Sequence, residues 1–416
     1  MRVTLVGYGT RGDVQPIVAL AKGLKCAGHD VTVCAAENFG AWITSHGLGF
    51  APIRVDVQAM MQSDDGVAWV EAGNALSQMG VMRRLFAQVG ERVAQDILTA
   101  AKHADLLIGG FTSDAFVGAV AETLGLPHIN AALQPLYPTT RGEATILPFR
   151  AEGDSILNRA LGHMAELFLF GVFERPMNTF RRSLALASKS RRRYYKDVHA
   201  MTVLCGYSEH VVPRPPDWPT NICVTGYWFL DEDAQWQPPA ELTAFIAAGE
   251  PPVYIGFGSM STGDADGKSD TVVRAVRISG RRVVIARGWA GLAGEAKSDD
   301  IYILKSAPHA WLFPRMAGVV HHGGAGTTAA GFRAGVPQFV VPHFADQPYW
   351  ARRAHDLGVA PKPVDQFKLT SEALAQGICA LIDDTTLHTN AAALGQRIRA
   401  EDGVGNAVRA IGRVVR

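Results

Sequence analysis

Short apolar runs alternate with helical patterns in two separate stretches of this 416-residue chain. In the first stretch, strands are predicted at 3–6, 31–35, 106–108 and 128–131, with helices at 14–27, before Gly47 and at 114–124. In the second, strands are predicted at 253–257, 283–286, 301–304, 319–320 and 338–341. Alternation of this kind favours a parallel sheet with helices on both faces. We therefore expect an α/β protein with two such sheets.

Composition narrows the class of protein further. Apolar residues make up 48% and charged residues 19% of the chain, which is usual for a folded enzyme. The net charge of +1 gives no electrostatic reason to expect nucleic acid as a partner. The five cysteines are scattered and none forms a CxxC pair, so we expect a reduced, cytoplasmic protein. The start, MRVTLVGYG, is predicted to be a strand rather than a signal peptide. No uninterrupted apolar run approaches the ~18 residues that span a bilayer, so a soluble protein is expected.

Residues 319–347, VVHHGGAGTTAAGFRAGVPQFVVPHFADQ, predict a buried strand, a glycine turn, a helix and a second strand. Such a turn directs unpaired backbone N–H groups and the positive end of the helix dipole at one point, where an anion binds. His322 stands at the turn and Thr327 at the helix start, so a diphosphate could receive bonds from both. Asp346 and Gln347 follow the next strand, and their carboxylate and carboxamide suit sugar hydroxyls.

Four motifs occur in order along the chain: GTRGDVQP at 9–16, TGYWFLD at 225–231, PPVYIGFGSM at 251–260, and the stretch 319–347. Together they resemble inverting family 1 glycosyltransferases, most closely the branch with sterol glucosyltransferases and glycopeptide-antibiotic glucosyltransferases. The resemblance covers nearly the whole chain and implies a GT-B fold, in which two Rossmann-like domains face a central cleft. It implies an acceptor-binding domain, a nucleotide-sugar-binding domain, and a C-terminal helix that crosses back to the first domain. A linker rich in Pro, Trp, Asp and Glu at 227–252 places the boundary near residue 230, so we expect the domains at 1–230 and 231–400 and the last helix at 401–416.

The resemblance also assigns roles to residues. It places His322, Thr327 and Ser259 near the diphosphate, and Asp346 and Gln347 at the sugar. Plant members stack a Trp on uracil where this chain has Ser306, so the base must be held otherwise, by backbone at Ala307 and an aromatic such as Trp289, although Trp289 is also a candidate for simple packing. The full set of predicted donor-binding residues is Arg11, Gly12, Ser259, Trp289, Ser306, Ala307, His322, Gly324, Gly326, Thr327, Asp346 and Gln347.

The N-terminal loop has two interpretations. Gly7, Gly9 and Gly12 form GxGxxG between a strand and a helix, with Glu37 near the end of the next strand, as in NAD-dependent oxidoreductases. Asp13 in the first helical turn would repel the NAD pyrophosphate. By resemblance, Asp13 instead stands where macrolide-type relatives carry their catalytic histidine, and it becomes the general base; a plain helix cap is the alternative.

Two further side chains leave their roles open. Asp114 begins a helix at the same sheet edge, and it either tunes Asp13, contacts the acceptor, or caps its helix. Arg11 points either at Asp13 or at the donor phosphates. His321 beside His322 suggests a metal pair, but neighbours on a strand face opposite sides. With no acidic cluster at the phosphate turn, we expect metal independence and no cofactor beyond the UDP-sugar cosubstrate.

Residues 51–91 and 134–196 do not follow the alternation and carry aromatic and methionine-rich patches, so we assign them to the acceptor pocket. The alternative is that Leu167, Phe168, Phe170 and Phe173 form a core helix face. Basic runs at 181–182 and 191–193 are interpreted as solvated helix faces rather than a lipid-binding patch.

The sequence thus predicts an inverting, metal-independent hexosyltransferase that moves glucose from UDP-glucose to a hydroxyl of a lipophilic acceptor such as a sterol or polyketide. Its partners would be the nucleotide sugar and a hydrophobic small molecule, with at most peripheral membrane contact. Two alternatives are an NAD-dependent oxidoreductase and a sugar-nucleotide-binding protein without catalysis.

Overall fold

The computed structural model describes residues 1–71, 75–147, 149–230, 236–257, 265–286 and 299–414. The chain divides into two compact units. Unit 1 comprises Met1–Leu230 and Glu401–Arg416, and unit 2 comprises Asp231–Ala400. Each unit has its own parallel sheet and its own buried core, so the prediction of an α/β protein with two Rossmann-like sheets is confirmed.

Unit 1 contains a seven-stranded parallel sheet with strand order β3-β2-β1-β4-β5-β6-β7. Its strands are β1 (Arg2–Gly7), β2 (Asp30–Ala36), β3 (Gly49–Ile53), β4 (Leu106–Gly110), β5 (His128–Ala132), β6 (Thr202–Cys205) and β7 (Ile222–Val224). Its helices up to residue 230 are α1 (Arg11–Cys26), α2 (Gly40–Ser45), α3 (Val57–Gln62), α4 (Asp64–Glu71), α5 (Ala75–Ala101), α6 (Asp114–Leu124), α7 (Ile156–Ser183) and α8 (Arg191–Ala200). The strand order reverses between β1 and β4, where open α/β sheets bind their ligands.

Unit 2 contains a five-stranded parallel sheet with strand order β10-β9-β8-β11-β12. Its strands are β8 (Val253–Gly256), β9 (Val283–Ala286), β10 (Ile301–Leu304), β11 (Gly318–His321) and β12 (Gln338–Val340). Its helices are α9 (Ala240–Ala247), α10 (Ala265–Ser279), α11 (His309–Leu312), α12 (Ala325–Ala334), α13 (Gln347–Asp356), α14 (Ser371–Asp383) and α15 (Thr385–Arg399). Short 3-10 helices in the two units cover Glu37–Phe39, Gly142–Ala144, Phe313–Arg315 and Gln366–Lys368. Here the order reverses between β8 and β11.

The last helix, α16 (Gly403–Val414), belongs to unit 1 rather than to the unit that precedes it in sequence. Ala407 and Ile411 are fully buried in the core of unit 1. The approach is close, because a Cβ on Gly23 of α1 would lie 2.3 Å from Val404 Cγ1. Asn406 Nδ2 donates to the Thr225 carbonyl at 2.9 Å. The C-terminal residues therefore complete the core of the first unit.

The stretches that break the alternation contain most of two long helices. α5 and α7 have 27 and 28 residues and pack on each other and on α6. The core-face interpretation is correct for Phe170 and Phe173, which are buried, and wrong for Leu167 and Phe168, which are exposed. By length and composition alone, α7 is the one helix among the described residues that is long and apolar enough to cross a bilayer, although charged residues interrupt its apolar sequence.

Candidate functional site

A glycine bend joins β11 to α12 at the point where the strand order of unit 2 reverses. Gly323 has φ +90°, which favours glycine. A Cβ there would also lie 2.8 Å from Val340 Cγ1 and 3.1 Å from the Gln347 carbonyl oxygen. The bend therefore lies against the start of α13, and the sequence-predicted groups His322 and Gln347 come to one edge of one sheet.

His321 braces this bend from inside the sheet. Its side chain is fully buried, and its Nδ1 accepts the Gly323 N–H at 3.0 Å. The proton of the neutral ring is then on Nε2, which donates to Gln338 Oε1 at 2.8 Å. Burial, together with the neighbouring His322, lowers the pKa of His321 to about 3. With both nitrogens engaged, His321 is no metal ligand, and it acts as a neutral support of the turn.

His322 lies half-buried over the start of α12. A Cβ on Gly324 would be 2.6 Å from His322 Nε2, so glycine is needed there to make room for the ring. Its Nδ1 is buried without a hydrogen-bond partner among the described residues. Burial, with a smaller contribution from His309, lowers the pKa of His322 to about 4. A neutral imidazole with an unsatisfied buried nitrogen is suited to bonding an incoming polar ligand.

The N-terminus of α12 carries no acidic residue in its first turn, and its N-cap, Gly324, provides no side-chain cap. Gly326 and Thr327 are the second and third residues of the helix; Gly326 is exposed and Thr327 half-buried. The first amides of a helix have no partner within the helix, and the dipole adds positive potential there. The structure thus places His322, Gly324, Gly326 and Thr327 together around one potential anion site.

Asp346 and Gln347 lie in a tightly held loop at the start of α13. Gln347 Oε1 accepts the His343 and Phe344 N–H groups at 2.8 and 3.2 Å, so this oxygen shapes the loop. Asp346 Oδ2 accepts the Trp350 indole N–H at 2.8 Å. Ala345 has φ +55°, a left-handed conformation that is costly for a residue with a Cβ. The left-handed conformation of Ala345 is thus maintained in the loop that holds the Asp346 carboxylate against Trp350.

The remaining predicted donor residues divide into two groups. Ser259 and Trp289 lie outside the described residues. Ser306 and Ala307 follow β10, exposed and half-buried respectively, and lead into α11. At the start of α11, His309 stacks on Phe313 with ring centroids 4.3 Å apart and influences the His322 pKa. Sequence reasoning gave no role to His309, Gln338 or His321, although the SAPH and VVHHGG motifs contain two of them.

In unit 1, the Asp13 carboxylate folds back on its own loop. Asp13 Oδ2 accepts the Thr10 N–H at 2.8 Å and the Thr10 hydroxyl at 3.2 Å. A Cβ on Gly9, which has φ +142°, would lie 2.2 Å from that oxygen. The Arg11 guanidinium lies 4.2 Å from the Trp42 ring centroid, and its Nε donates to Gln15 Oε1 at 3.0 Å. Gly12 beside it is exposed.

Asp114 is buried at the start of α6, in the loop region that follows β4. Asn130 Nδ2 donates to Asp114 Oδ1 at 2.6 Å, and His128 Nε2 lies 3.1 Å from the same oxygen without hydrogen-bond geometry. Burial, and then the Asp114 charge, raises the pKa of Tyr194 well above its usual value. Asn130 and His128 of β5 thus hold Asp114 within a buried polar cluster. A residue that only caps a helix does not need such partners.

The loops after β1 and β4 are linked directly, because Thr112 Oγ1 donates to the Tyr8 carbonyl at 2.5 Å. Asp13 and Asp114 therefore begin helices at the same edge, where the strand order of unit 1 reverses. Aromatic rings continue from this edge: Tyr8 contacts Phe86, which contacts Phe173, with centroids 6.4 and 4.8 Å apart. Carboxylates next to an aromatic wall can bind and deprotonate an apolar alcohol.

The NAD interpretation is weakened by comparing the two helix starts. In unit 1 the Asp13 carboxylate already takes an N–H group at the start of α1, and its charge would repel a pyrophosphate. Glu37 is exposed directly after β2, as the fingerprint requires, but the glycine loop is filled by Asp13. In unit 2 the start of α12 has no such acid. Within the described parts of the chain, no group of three His, Cys, Asp or Glu side chains is arranged to hold a metal.

Comparison with known proteins agrees with this geometry. The family model described as "Glycosyltransferase family 28 N-terminal domain" matches residues 3–151. The model described as "Erythromycin biosynthesis protein CIII-like, C-terminal domain" matches residues 284–407. A sterol 3-beta-glucosyltransferase of Arabidopsis thaliana is 32% identical over 99% of this chain and 65% of its own length. One from Emericella nidulans is 33% identical over 99% of this chain and 30% of its own length. The chain thus spans only part of the length of these curated relatives.

Solved structures show the same fold at lower identity. The glycosyltransferase SnogD from Streptomyces nogalater has a TM-score of 0.68 and 19% identity, with all of both chains covered. The glycosyltransferase VinC, solved in complex with dTDP, also has a TM-score of 0.68 and 19% identity, covering 100% of this chain and 99% of its own. The solved structures show that the chain has the GT-B fold, and the family models and curated relatives show that its sequence is similar to glycosyltransferases over nearly its whole length.

Proposed function

We propose that this protein is an inverting, metal-independent transferase that moves glucose from UDP-glucose to a hydroxyl of a lipophilic acceptor such as a sterol. The observation that carries the proposal is the glycine bend, where the His322 ring lies over an uncapped, acid-free helix start and its buried Nδ1 has no hydrogen-bond partner among the described residues. Ring N–H, helix amides and the Thr327 hydroxyl would share the two negative charges of the departing diphosphate.

The acceptor class rests on two supports. Relatives that match 99% of this chain are named sterol 3-beta-glucosyltransferases. In unit 1, the rings of Phe86 and Phe111 both contact Phe173 near the edge that carries Asp13 and Asp114. A rigid, largely apolar alcohol would bury its surface on such rings and leave its hydroxyl for a carboxylate.

The proposed reaction is a single displacement. The acceptor oxygen bonds to the anomeric carbon while the bond from that carbon to the UDP oxygen breaks, so the configuration inverts and UDP leaves. Asp13 takes the acceptor proton late, when the forming bond has made that proton acidic. For this, the carboxylate exchanges its bonds to Thr10 for the acceptor hydroxyl. Asp346, anchored on Trp350, would accept hydrogen bonds from the glucose hydroxyls.

Calorimetry with UDP and with UDP-glucose tests the donor site. His322→Ala should weaken both ligands by about 10- to 100-fold, the loss expected for a hydrogen bond to a charged group. Asp346→Asn should weaken UDP-glucose while leaving UDP unchanged, because only the sugar contacts this carboxylate. His388→Ala on α15, a half-buried histidine elsewhere in unit 2, is the matched control and should bind as wild type.

Product analysis tests the reaction. Mass spectrometry of mixtures with UDP-glucose and a panel of sterols, macrolides and flavonoids should show one added hexose on a lipophilic acceptor without added metal. Thermal stabilisation by NADH and not by UDP-glucose would instead establish the oxidoreductase alternative. Tight UDP-glucose binding with no product from any acceptor would leave a binding protein without catalysis.

A further inference from the structure

The outer face of α7 exposes a concentration of large apolar side chains. Ten such side chains are exposed among the described residues, and six of them fall within residues 149–168. They are Phe149, Ile156, Leu157, Met164, Leu167 and Phe168, with exposures from 36% to 81%. Contiguous exposed apolar surface of this kind marks an interaction site more often than scattered single residues do. Residues 134–196 are expected to contribute to the acceptor pocket, but the reaction proposed above uses the buried Phe173 of α7 and none of these six exposed side chains.

Helical geometry places the five members within α7 on one side. At 100° per residue, Ile156, Leu157, Met164, Leu167 and Phe168 fall within a sector of about 120°. The opposite side is buried and also apolar, with Phe173 on Phe86 and Phe180 on Phe116 at centroid distances of 4.8 and 6.1 Å. The helix therefore has a second apolar face in addition to the one that packs in unit 1.

Basic side chains continue the same sector. Arg175 and Arg182 follow Phe168 at seven-residue intervals, which returns each to the outer face, and both are exposed. The following helix, α8, begins with the exposed Arg191 and Arg192. Residues 149–200 contain ten Lys and Arg against five Asp and Glu, although the whole chain has a net charge of only +1. An apolar strip bordered by guanidinium groups is complementary to lipid tails beneath anionic headgroups.

We propose that the outer face of α7 is a docking surface for an anionic lipid bilayer. The apolar side chains enter the boundary between headgroups and acyl chains, and the arginines after Phe168 bind lipid phosphates. The helix lies along the surface rather than across the bilayer, because spanning would break its inner contacts, including the ion pair of Arg181 with Glu122 at 2.8 Å.

Vesicle co-sedimentation tests the surface without donor or acceptor, so its outcome is independent of the proposed reaction. The vesicles are phosphatidylcholine alone, or phosphatidylcholine mixed with phosphatidylglycerol, both without sterol. Wild-type protein should bind the mixed vesicles more tightly, and added salt should weaken this binding. The double variant Leu167→Glu/Phe168→Glu should lower the partition coefficient by about tenfold or more, because two charges replace two inserted apolar side chains.

A charge variant and matched controls complete the design. The charge variant combines Arg175→Gln, Arg191→Gln and Arg192→Gln. It should bind the mixed vesicles about fivefold more weakly for each charge removed. Its binding to phosphatidylcholine alone should be nearly unchanged. Ile278→Glu and Arg277→Gln alter an exposed apolar and an exposed basic residue on α10 of unit 2, and should behave as wild type. UDP binding and circular dichroism verify that each variant is folded.

Three outcomes would overturn the proposal. The first is wild-type protein that binds neither kind of vesicle. The second is an equal loss of binding in the α10 controls. The third is a dimer in light scattering that Leu167→Glu/Phe168→Glu dissociates while vesicle binding stays absent, which would assign the face to a second copy of the chain.

Discussion

Two aspartates that begin neighbouring helices in unit 1 differ in what holds their carboxylates. Asp13 is half-buried and bonded to the amide and hydroxyl of Thr10, three residues earlier. Asp114 is buried and bonded across the sheet edge to Asn130. A general base must exchange its hydrogen bonds within the protein for one to the substrate. Asp13 can leave the Thr10 amide and hydroxyl by a rotation of its own side chain. Asp114 is part of a fixed polar cluster and is better placed to position groups around it.

The variant Asp13→Asn distinguishes the proposed role of Asp13 as general base from its role in capping α1. The amide oxygen of asparagine can still accept the Thr10 N–H, so thermal stability and UDP-glucose affinity should stay near those of wild type. The amide cannot take a proton, so kcat with a sterol acceptor should fall by about 100-fold or more. Steady-state kinetics and calorimetry on the same preparation measure both. Normal turnover in this variant would rule out the base assignment while leaving the donor site intact.

His321 predicts how the stability of unit 2 depends on pH. Its pKa is about 3 in the folded protein against 6.5 in the unfolded chain, so the unfolded state binds more protons between these values. The free energy of unfolding therefore falls as pH falls below 6.5, by about 2 kcal/mol between pH 7 and pH 5 from this one group.

His321→Gln should reduce that fall, because glutamine takes up no proton on unfolding. At pH 7 the variant should be less stable and bind UDP more weakly, since the Gly323 N–H loses a fixed acceptor. Denaturant unfolding at pH 7 and pH 5 measures the difference. An unchanged pH dependence in His321→Gln would show that His321 is not the titrating group.

At the level of elements, the contact between α1 and α16 depends on one missing side chain. Gly23 lies inside α1, where alanine would improve helix propensity by about 1 kcal/mol. The added Cβ would, however, lie 2.3 Å from Val404 Cγ1 and 3.3 Å from Val408 Cγ2. Overpacking of this kind costs about 1–3 kcal/mol, so the steric term exceeds the propensity gain.

Gly23→Ala should therefore lower the free energy of unfolding of unit 1 without changing UDP affinity. Adding Val404→Ala removes the methyl groups in the way and should restore part of the loss, so the double variant should be more stable than the two single changes predict by addition. Gly412→Ala on α16, where a Cβ meets nothing within 4 Å, is the control and should be neutral or stabilising. Additive losses in a double-mutant cycle would show that the two positions do not interact.

For the molecule as a whole, the features that follow from local pattern could be predicted from the sequence. Buried parallel strands are apolar on both faces, so β1, β4, β8 and β11 appeared as apolar runs. The bend after β11 follows from the consecutive glycines after His322, and Gly323 adopts the positive φ that glycine favours. The capping bond of Asp13 is a prediction of the sequence, because carboxylates commonly occupy this position at the start of a helix.

Features that depend on packing could not be predicted in this way. The bond from His321 to Gln338 joins residues on adjacent strands, and only the register of β11 against β12 brings them together. The buried cluster around Asp114 depends in the same way on β5 beside β4. Periodicity shows that Leu167 and Phe168 share one side of α7, but not that this side stays uncovered. Such facts require the whole fold, because they concern which surfaces meet.

The order in which the units fold follows from the position of α16. A growing chain normally completes its domains in sequence order, beginning at the N-terminus. Here the core of the first unit includes Ala407 and Ile411, so it stays incomplete until residues 401–416 have left the ribosome. Unit 2 has all of its residues before that moment. During synthesis, the second unit can therefore reach its final packing first. The core formed by residues 1–230 is completed only after α16 has been synthesised.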